Sequence, residues 1–406
     1  MLKIRHLHHP FRTARHAGLL LRLHGGAIRR GLEGRQHYGK DTRFRLDLVE
    51  QGFLDRSESR QCDRQVLSRI CEAYQAATSV PIPEAYEPTS WWEMLRRVNL
   101  QRVIKALQAS DIDALQRMYG NFFRDSCSDG LVGKSMLLSP TLPRPLVKIH
   151  QWAYLSEALL RLDRWKSLTH GMYDLDDLRG PKTGNPYGIV LDDIFVSNGA
   201  EHQHYGARRV SGILNKSDAV VAEIGGGYGA MAYYLLRDCP RMTYWNFDVP
   251  ESLALAAYYL TRNFPEKRIL LYGESSIKNV SLSDYDVVLM PLTELSNAPP
   301  RFADMIFSAH AMSDLNESAL RIYLERVWQL TARYFLYQGM RPPAKTLQRL
   351  IADKYPTILL REEKQYYLHG QSGQDQLQCE LLYEVSAADD QTRSHADRSR
   401  SINPSS

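Results

Sequence analysis

Hydrophobic residues change their spacing once along the chain, near residue 219. From about residue 44 to residue 180 they recur at steps of three and four, as at Leu46, Val49 and Phe53, which is the period of amphipathic helices. From residue 219 onward, short apolar runs that end in glycine or polar residues alternate with helical patterns. The spacing therefore predicts a mainly α-helical N-terminal part followed by an α/β part.

The α/β part is predicted to form a doubly wound sheet. Its strands are predicted at residues 219–224, 243–247, 269–272, 287–290, 303–308, 334–337, 366–369 and 377–385. Its helices are predicted at residues 230–236, 249–262, 317–330 and 342–354. Strands that alternate with helices favour parallel pairing through right-handed crossovers. The last two strands are expected to pair antiparallel.

Charge is concentrated at the N-terminus. The chain carries a formal +5, and residues 1–35 contain eight Lys or Arg and one Glu, so the remaining residues sum to −2. A segment of this composition is typical of a flexible tail; the alternative is a basic segment that contacts anionic lipid or another polyanion. It lies outside every element assigned below to a cofactor or an acceptor. We therefore expect it to affect where the protein docks and not its chemistry.

The cysteines and the hydropathy of the chain indicate the cellular compartment in which the protein is expected. The five cysteines are scattered without Cys-x-x-Cys spacing, which indicates a reducing environment. Nowhere do about 18 apolar residues run together, so a cytoplasmic protein is expected. We predict four segments, namely a basic and flexible segment at 1–40, a helical domain at 41–180, an α/β domain at 181–385 and a disordered tail at 386–406.

The strongest motif joins the first predicted strand of the α/β part to its helix. Gly225, Gly227 and Gly229 form G-x-G-x-G, a spacing used by enzymes that bind S-adenosylmethionine, while Gly225, Gly227 and Ala230 also fit the G-x-G-x-x-A of dinucleotide-binding folds. Glycines let a ligand approach the backbone, and the next helix offers free N–H groups. Glu223 decides between the two cofactors, because a carboxylate can receive the ammonium of methionine but would repel a pyrophosphate.

Acidic and polar residues follow two neighbouring predicted strands. Asp248 ends the second strand, where an acid can accept hydrogen bonds from ribose hydroxyls; it is equally suited to begin the following helix, before Pro250. Ser308, His310 and Asp314 follow the strand predicted at 303–308. In a doubly wound sheet these residues lie at the rim of the same crevice.

These motifs resemble class I S-adenosylmethionine-dependent methyltransferases. The run at 223–229, the Asp-Val-Pro-Glu at 248–251 and the stretch 307–316 are similar, more narrowly, to the bacterial sugar O-methyltransferase family, as is the Thr-Gly-Asn-Pro at 183–186. The resemblance covers about residues 182–385. It implies an α/β fold: a Rossmann-like doubly wound methyltransferase sheet, mostly parallel with its last strand antiparallel, preceded by a mainly α-helical N-terminal domain.

The resemblance also implies site residues. Glu223, Gly225, Gly227 and Gly229 would line the methionine end of the cofactor, Asp248 would hold the ribose, Leu292, Thr293 and Glu294 would lie near the adenine, and Ser308 would lie close by. The chain departs from the family at Asp314–Leu315, where Glu-Met is more frequent. The acid is kept but is one methylene shorter.

Methyl transfer to a hydroxyl needs a general base, because the hydroxyl has a high pKa. His310 is the first candidate, with Asp314 able to orient its ring if that turn is helical; the alternative is that His310 only packs or caps the turn. His202, His204 and Tyr205 are predicted to form an acceptor-binding wall. The two histidines would not share a helix face, and no metal is predicted.

The leading hypothesis is transfer of a methyl group from S-adenosylmethionine to a hydroxyl of a sugar or glycan. The alternatives are an NAD(P)-dependent oxidoreductase and a non-catalytic scaffold in glycan assembly. A nucleic-acid partner is disfavoured by the near-neutral body of the chain and by the lack of an Asn-Pro-Pro-Tyr motif. The helical part is expected to cover the acceptor site or to form a homodimer interface.

Overall fold

A mostly parallel sheet lies at the centre of the computed structural model. The structure describes residues 10–57, 64–279, 281, 284–355, 357–363 and 378–385. The strand predicted at 366–369 and the tail predicted at 386–406 lie outside the described residues. Eight described strands pair in the spatial order β5-β6-β4-β3-β7-β8-β10-β9. Their bounds are β3 Val220–Ile224, β4 Thr243–Asp248, β5 Ile269–Leu271, β6 Val287–Pro291, β7 Ala303–Ala309, β8 Thr331–Met340, β9 Thr357–Glu363 and β10 Gln378–Val385.

Strand direction and order create a crevice at one edge of this sheet. β10 runs antiparallel to both of its neighbours, β8 and β9, and the other pairings are parallel. Chain order moves outward from β3 in one direction through β4 and then returns to β7 on the other side of β3. The loops after β3 and β7 therefore leave in opposite directions, which opens a ligand crevice at the strands' carboxyl ends.

Helices cover the sheet. They are α8 Ala200–Leu214, α9 Ala230–Asp238, α10 Pro250–Asn263, α11 Glu317–Leu330 and α12 Arg341–Lys354. All of them except α8 lie where the sequence predicts them. α9 begins after Gly229, whose φ of 83° is left-handed, and α10 begins with Pro250 in its first turn. The sequence did not predict β9, nor the antiparallel hairpin of β1 Gly188–Leu191 and β2 Ile194–Ser197.

The N-terminal part is helical. Its helices are α1 Pro10–Tyr38, α2 Asp47–Gly52, α3 Arg64–Thr78, α4 Ser90–Val98, α5 Gln101–Ala109, α6 Ile112–Tyr119 and α7 Arg144–Leu168. One continuous hydrophobic core joins them to the α/β part, and Tyr119 of α6, for example, packs against Tyr258 of α10. Among the described helices, none is both long and apolar enough to cross a lipid bilayer.

Within the segment expected at 1–40 to be a flexible tail, residues Pro10–Tyr38 form helix α1. Ala27, Gly31, Gly34 and Tyr38 recur at helical spacing on one face, and these residues are buried against α7. Small side chains let the two helix backbones approach each other closely, and a Cβ atom at Gly34 would overlap the Ser156 hydroxyl of α7. This pairing depends on a partner more than 100 residues away, so the local composition could not reveal it.

Two alanine substitutions test this helix packing. Gly34→Ala is expected to weaken the contact between α1 and α7, since the added methyl group must displace Ser156. Gly25→Ala, on the same helix, meets no atom within 4 Å and is expected to stabilise α1 by about 0.5–1 kcal/mol. Thermal unfolding and amide hydrogen exchange of residues 24–38 provide the readout. Equal effects of the two substitutions would contradict the described packing.

Candidate functional site

A cleft of about 770 Å³ opens at the carboxyl ends of β3 and β7. The glycine turn at 225–227 forms one wall, together with Glu223 from the end of β3. Residues from α7 and α8 form a second wall, and residues 130–136 of the N-terminal part contribute as well. The cleft therefore lies where strand order predicts a ligand site, and it is lined by both parts of the chain.

Backbone geometry accounts for the glycines of the turn. Gly225 and Gly227 have φ angles of 78° and 57°, which residues with a Cβ atom rarely adopt. A Cβ atom at Gly225 would also overlap the side chain of Ala311, from the turn after β7. The Gly225 N–H donates to the Phe247 carbonyl at 2.8 Å, which ties the turn to the neighbouring strand β4.

Three polar side chains on one face of β4 hold this turn and Glu223. The Tyr244 hydroxyl donates to Glu223 Oε2 at 2.6 Å. Asn246 Oδ1 accepts the N–H of Gly226 at 3.0 Å, and Asp248 Oδ2 accepts the N–H of Gly227 at 2.7 Å. Sequence reasoning missed Tyr244 and Asn246. The signal was available, because polar residues at every second position of a buried strand share one face.

Burial changes the protonation of the two acids. Glu223 is 3% exposed, and burial raises its pKa to about 8; the Tyr244 hydroxyl lowers the pKa in part and the nearby Asp248 raises it further. Burial also raises the pKa of Asp248 to about 7, although two backbone N–H groups stabilise its charged form and so lower the pKa in part. A cation placed beside Glu223 would favour its ionised form.

The pH dependence of stability tests the state of Glu223. The unfolded carboxyl loses its proton near pH 4.5, whereas the folded one keeps it to about pH 8, so stability falls as the pH rises through this range. Glu223→Gln does not lose stability in this way, because a glutamine side chain does not ionise. Without ligand, its unfolding free energy should exceed that of the native protein by a few kcal/mol at about pH 8.5, and by little at about pH 5. Chemical denaturation at both pH values measures this.

The exposed substitution Glu266→Gln is the control for this measurement. It removes a carboxyl of the same kind at the surface. Its effect should not grow with pH in the same way. A stability difference of Glu223→Gln that is constant from pH 5 to pH 8.5 would show that the Glu223 carboxyl is not perturbed.

The structure brings His310 and His202 together across the cleft. His310 follows β7 with a left-handed φ of 66°, and its backbone N–H donates to the Gln338 carbonyl at 2.7 Å. Its ring faces that of His202 from α8, with centroids 6.1 Å apart and planes at 62°. Both residues line the cleft. A strained backbone at such a position points the ring in a fixed direction.

Other residues predicted for the site lie outside this cleft. Asp314 is exposed on the short helical turn Ala311–Asp314. His204 is fully buried, its Nδ1 accepts from Trp165 at 3.1 Å, and burial lowers its pKa to about 4. The buried Tyr205 donates to Glu380 at 3.4 Å. His202 and His204 lie on different faces of α8, so of this trio only His202 reaches the cleft.

The residues predicted near ribose and adenine lie elsewhere on the same sheet edge. Glu294 lines a second cavity, of about 350 Å³, beyond the carboxyl ends of β5 and β6, and Thr293 precedes it on the same turn. Asp248 lines neither cavity because its carboxyl is bonded to the glycine turn. Ser308 is fully buried and donates to the Ile224 carbonyl at 3.0 Å, so it joins β7 to β3 beneath the cleft.

The sequence predicted that the helical part covers the acceptor site or forms a dimer interface, but it did not identify the residues that this part contributes to the cleft wall. Arg161 of α7 forms an ion pair with the buried Glu201 of α8 and donates to Asn198 at 3.2 Å. Arg30 of α1 pairs with Glu157 of α7 at 2.5 Å. Both arginines line the cleft. The expectation that the basic N-terminal segment lies outside the site is therefore corrected, since long-range packing of α1 places Arg30 in its wall.

Comparisons with known proteins give distant structural likenesses. No protein-family model and no curated protein matches the chain. The magnesium protoporphyrin IX methyltransferase ChlM from Synechocystis PCC 6803 with bound SAM is 11% identical, with a TM-score of 0.34 over 55% of this chain and 91% of that chain. The methyltransferase domain of bacterial CtHen1-C is 15% identical, with a TM-score of 0.33 over 46% of this chain and 99% of that chain.

Further similar structures hold a cofactor. Cofactor-bound Rv0187 from MTB is 12% identical, with a TM-score of 0.32 over 56% of this chain and 89% of that chain. ChlM is also similar in its structure with bound SAH.

Within the described residues, no group of three His, Cys, Asp or Glu side chains is placed to hold a metal ion.

Proposed function

We propose that this protein is an S-adenosylmethionine-dependent O-methyltransferase. One observation carries the proposal: Glu223, a buried carboxyl with a raised pKa, lines a cleft beside a glycine turn at the switch point of the sheet. Such a group is suited to receive the ammonium of the methionine moiety. The pyrophosphate of a dinucleotide would gain no ion pair from Glu223, whereas an ammonium group would, and this difference disfavours the oxidoreductase alternative.

The residues of the cleft fit this cofactor. Glu223 would hold the ammonium group, and the turn would leave room for the methionine chain at Gly227, which lines the cleft and where a Cβ atom would be in contact only with Leu131 across it. Asp248, whose carboxyl accepts the N–H groups of Gly227 and Val249, would support the turn. Thr293 and Glu294, beside the second cavity, would lie toward the adenine. The cofactor supplies an electrophilic methyl group on a sulfonium.

The protein must then align the acceptor, exclude water and remove a proton. His310 would take the proton from the acceptor hydroxyl, because it lies at the carboxyl end of β7 within the cleft. His202 would contact His310 or the acceptor from the opposite wall. Ion pairs at Arg161, which is largely buried, and at Arg30, which is half-buried, offer donors and acceptors with little net charge, which supports a sugar or glycan hydroxyl as the acceptor.

Calorimetric titration tests the choice of cofactor. The protein is expected to bind S-adenosylmethionine and not NADH. Glu223→Gln should weaken this binding roughly tenfold to hundredfold, the usual loss for a hydrogen bond to a charged group. Glu266→Gln, at the surface, should leave it unchanged. Binding of NADH in place of S-adenosylmethionine would refute the proposal.

Substitution of His310 separates catalysis from scaffolding. Mass spectrometry with oligosaccharide and nucleotide-sugar acceptors would first identify a methylated product. His310→Gln should then keep cofactor affinity and lower the transfer rate by roughly 100-fold or more, as expected for loss of a general base. Asp314→Asn should change the rate by less than about threefold, because Asp314 is exposed outside the cleft. An unchanged rate in His310→Gln would exclude it as the base.

A further inference from the structure

The outer face of α1 combines exposed apolar and basic side chains. Ile28 is 42% exposed and Leu32 is 63% exposed, one helical turn apart, whereas Ala27, Gly31 and Gly34 are buried on the face toward α7. Residues four positions apart share a helix face. Ile28 and Leu32 therefore form an apolar pair that faces away from the protein core.

Arginines flank this apolar pair. Arg29 and Arg35 are exposed, and the nearest acid, Glu33, is 3.8 Å from Arg29 at a solvent-exposed position. Along the whole of α1 the sequence contains six arginines and a single acid. Each basic residue near an anionic lipid surface strengthens binding by roughly fivefold, and inserted apolar side chains add the hydrophobic contribution. A helix with both features is suited to the boundary between headgroups and acyl chains.

The same helix forms part of the cleft wall. Arg30, between Ile28 and Leu32 in sequence, projects to a different side of α1, pairs with Glu157 of α7 and lines the cleft. Nearly two turns earlier on α1, His24 Nδ1 lies 3.0 Å from Nε2 of His150, another residue that lines the cleft. The outer face of α1 and the cleft wall are thus two sides of one helix, tied to α7 by polar contacts and close packing.

We propose that the outer face of α1 binds an anionic lipid surface, with Ile28 and Leu32 inserted and Arg29 and Arg35 on the headgroups, so that the cleft is held at that surface. This inference does not depend on the identity of the cofactor. It favours lipid over other polyanions because exposed apolar side chains add to membrane binding, whereas a nucleic acid backbone recognises only the charge.

Vesicle flotation with the full chain tests the proposal. The protein should bind vesicles of phosphatidylcholine with about 30 mol% phosphatidylglycerol at least tenfold more tightly than vesicles of phosphatidylcholine alone. The double substitution Arg29→Glu/Arg35→Glu should weaken binding at least tenfold. Ile28→Ser/Leu32→Ser should weaken it about tenfold as well, because two apolar side chains no longer insert.

Matched substitutions elsewhere control for general effects of charge and polarity. Arg97 of α4 is 77% exposed and lies 3.8 Å from Glu93, much as Arg29 lies from Glu33, and Ile322 of α11 is 40% exposed. Arg97→Glu and Ile322→Ser should leave vesicle binding unchanged. Thermal unfolding should confirm that every variant is folded.

Two outcomes would overturn the proposal. One is equal binding of the native protein to both kinds of vesicle. The other is vesicle binding that Ile28→Ser/Leu32→Ser does not weaken while an RNA oligonucleotide competes for it, which would identify α1 as a general polyanion-binding helix. Neither outcome would affect the cofactor titration, so this proposal and the proposed function fail independently.

Discussion

A glycine turn that rests on polar side chains of the neighbouring strand is the feature on which the rest of this structure depends. The turn at 225–227 can lie so close to β4 because Gly226 lacks a Cβ atom, which would overlap Tyr244 and Asn246. Asn246 and Asp248 satisfy two of the N–H groups of the turn. Buried backbone donors without partners are costly. The polar face of β4 therefore fixes the turn, the turn fixes the start of α9, and the crevice between β3 and β7 stays open.

This arrangement leaves two acids in a poorly solvated position. Burial raises the pKa of both Glu223 and Asp248, and a nearby acid adds to each shift, Asp248 for Glu223 and Glu251 for Asp248. Active and binding sites commonly contain such groups, because a ligand of opposite charge offsets the free-energy cost of ionising a buried acid. In the proposed enzyme, the ammonium group of the cofactor would be this ligand. Cofactor affinity and the free energy of unfolding would then both depend on the ionisation of Glu223.

The sequence predicted the elements that local pattern controls. Strands β3 to β7 and helices α9 to α12 lie within about three residues of their predicted positions, because apolar runs and glycine signals mark their ends. β9 and the β1–β2 hairpin were missed. Glu223 and His310 were singled out because they lie at strand ends, and both line the cleft. Residues that reach the cleft through packing between distant parts of the chain were not predicted. His204, predicted to bind the acceptor, is instead buried and accepts a hydrogen bond from Trp165. Arg30 and Arg161 line the cleft from helices α1 and α7, whose positions no local sequence pattern specifies.

Proton release on cofactor binding tests the central claim most directly. Titration calorimetry with S-adenosylmethionine at pH 7, in buffers of different ionisation enthalpy, counts the protons exchanged. With its pKa at about 8, Glu223 is mostly protonated in the empty site, so binding the ammonium group should release close to one proton, and clearly less in Glu223→Gln. Binding with no proton release, or the same release in both proteins, would contradict the role assigned to this carboxyl.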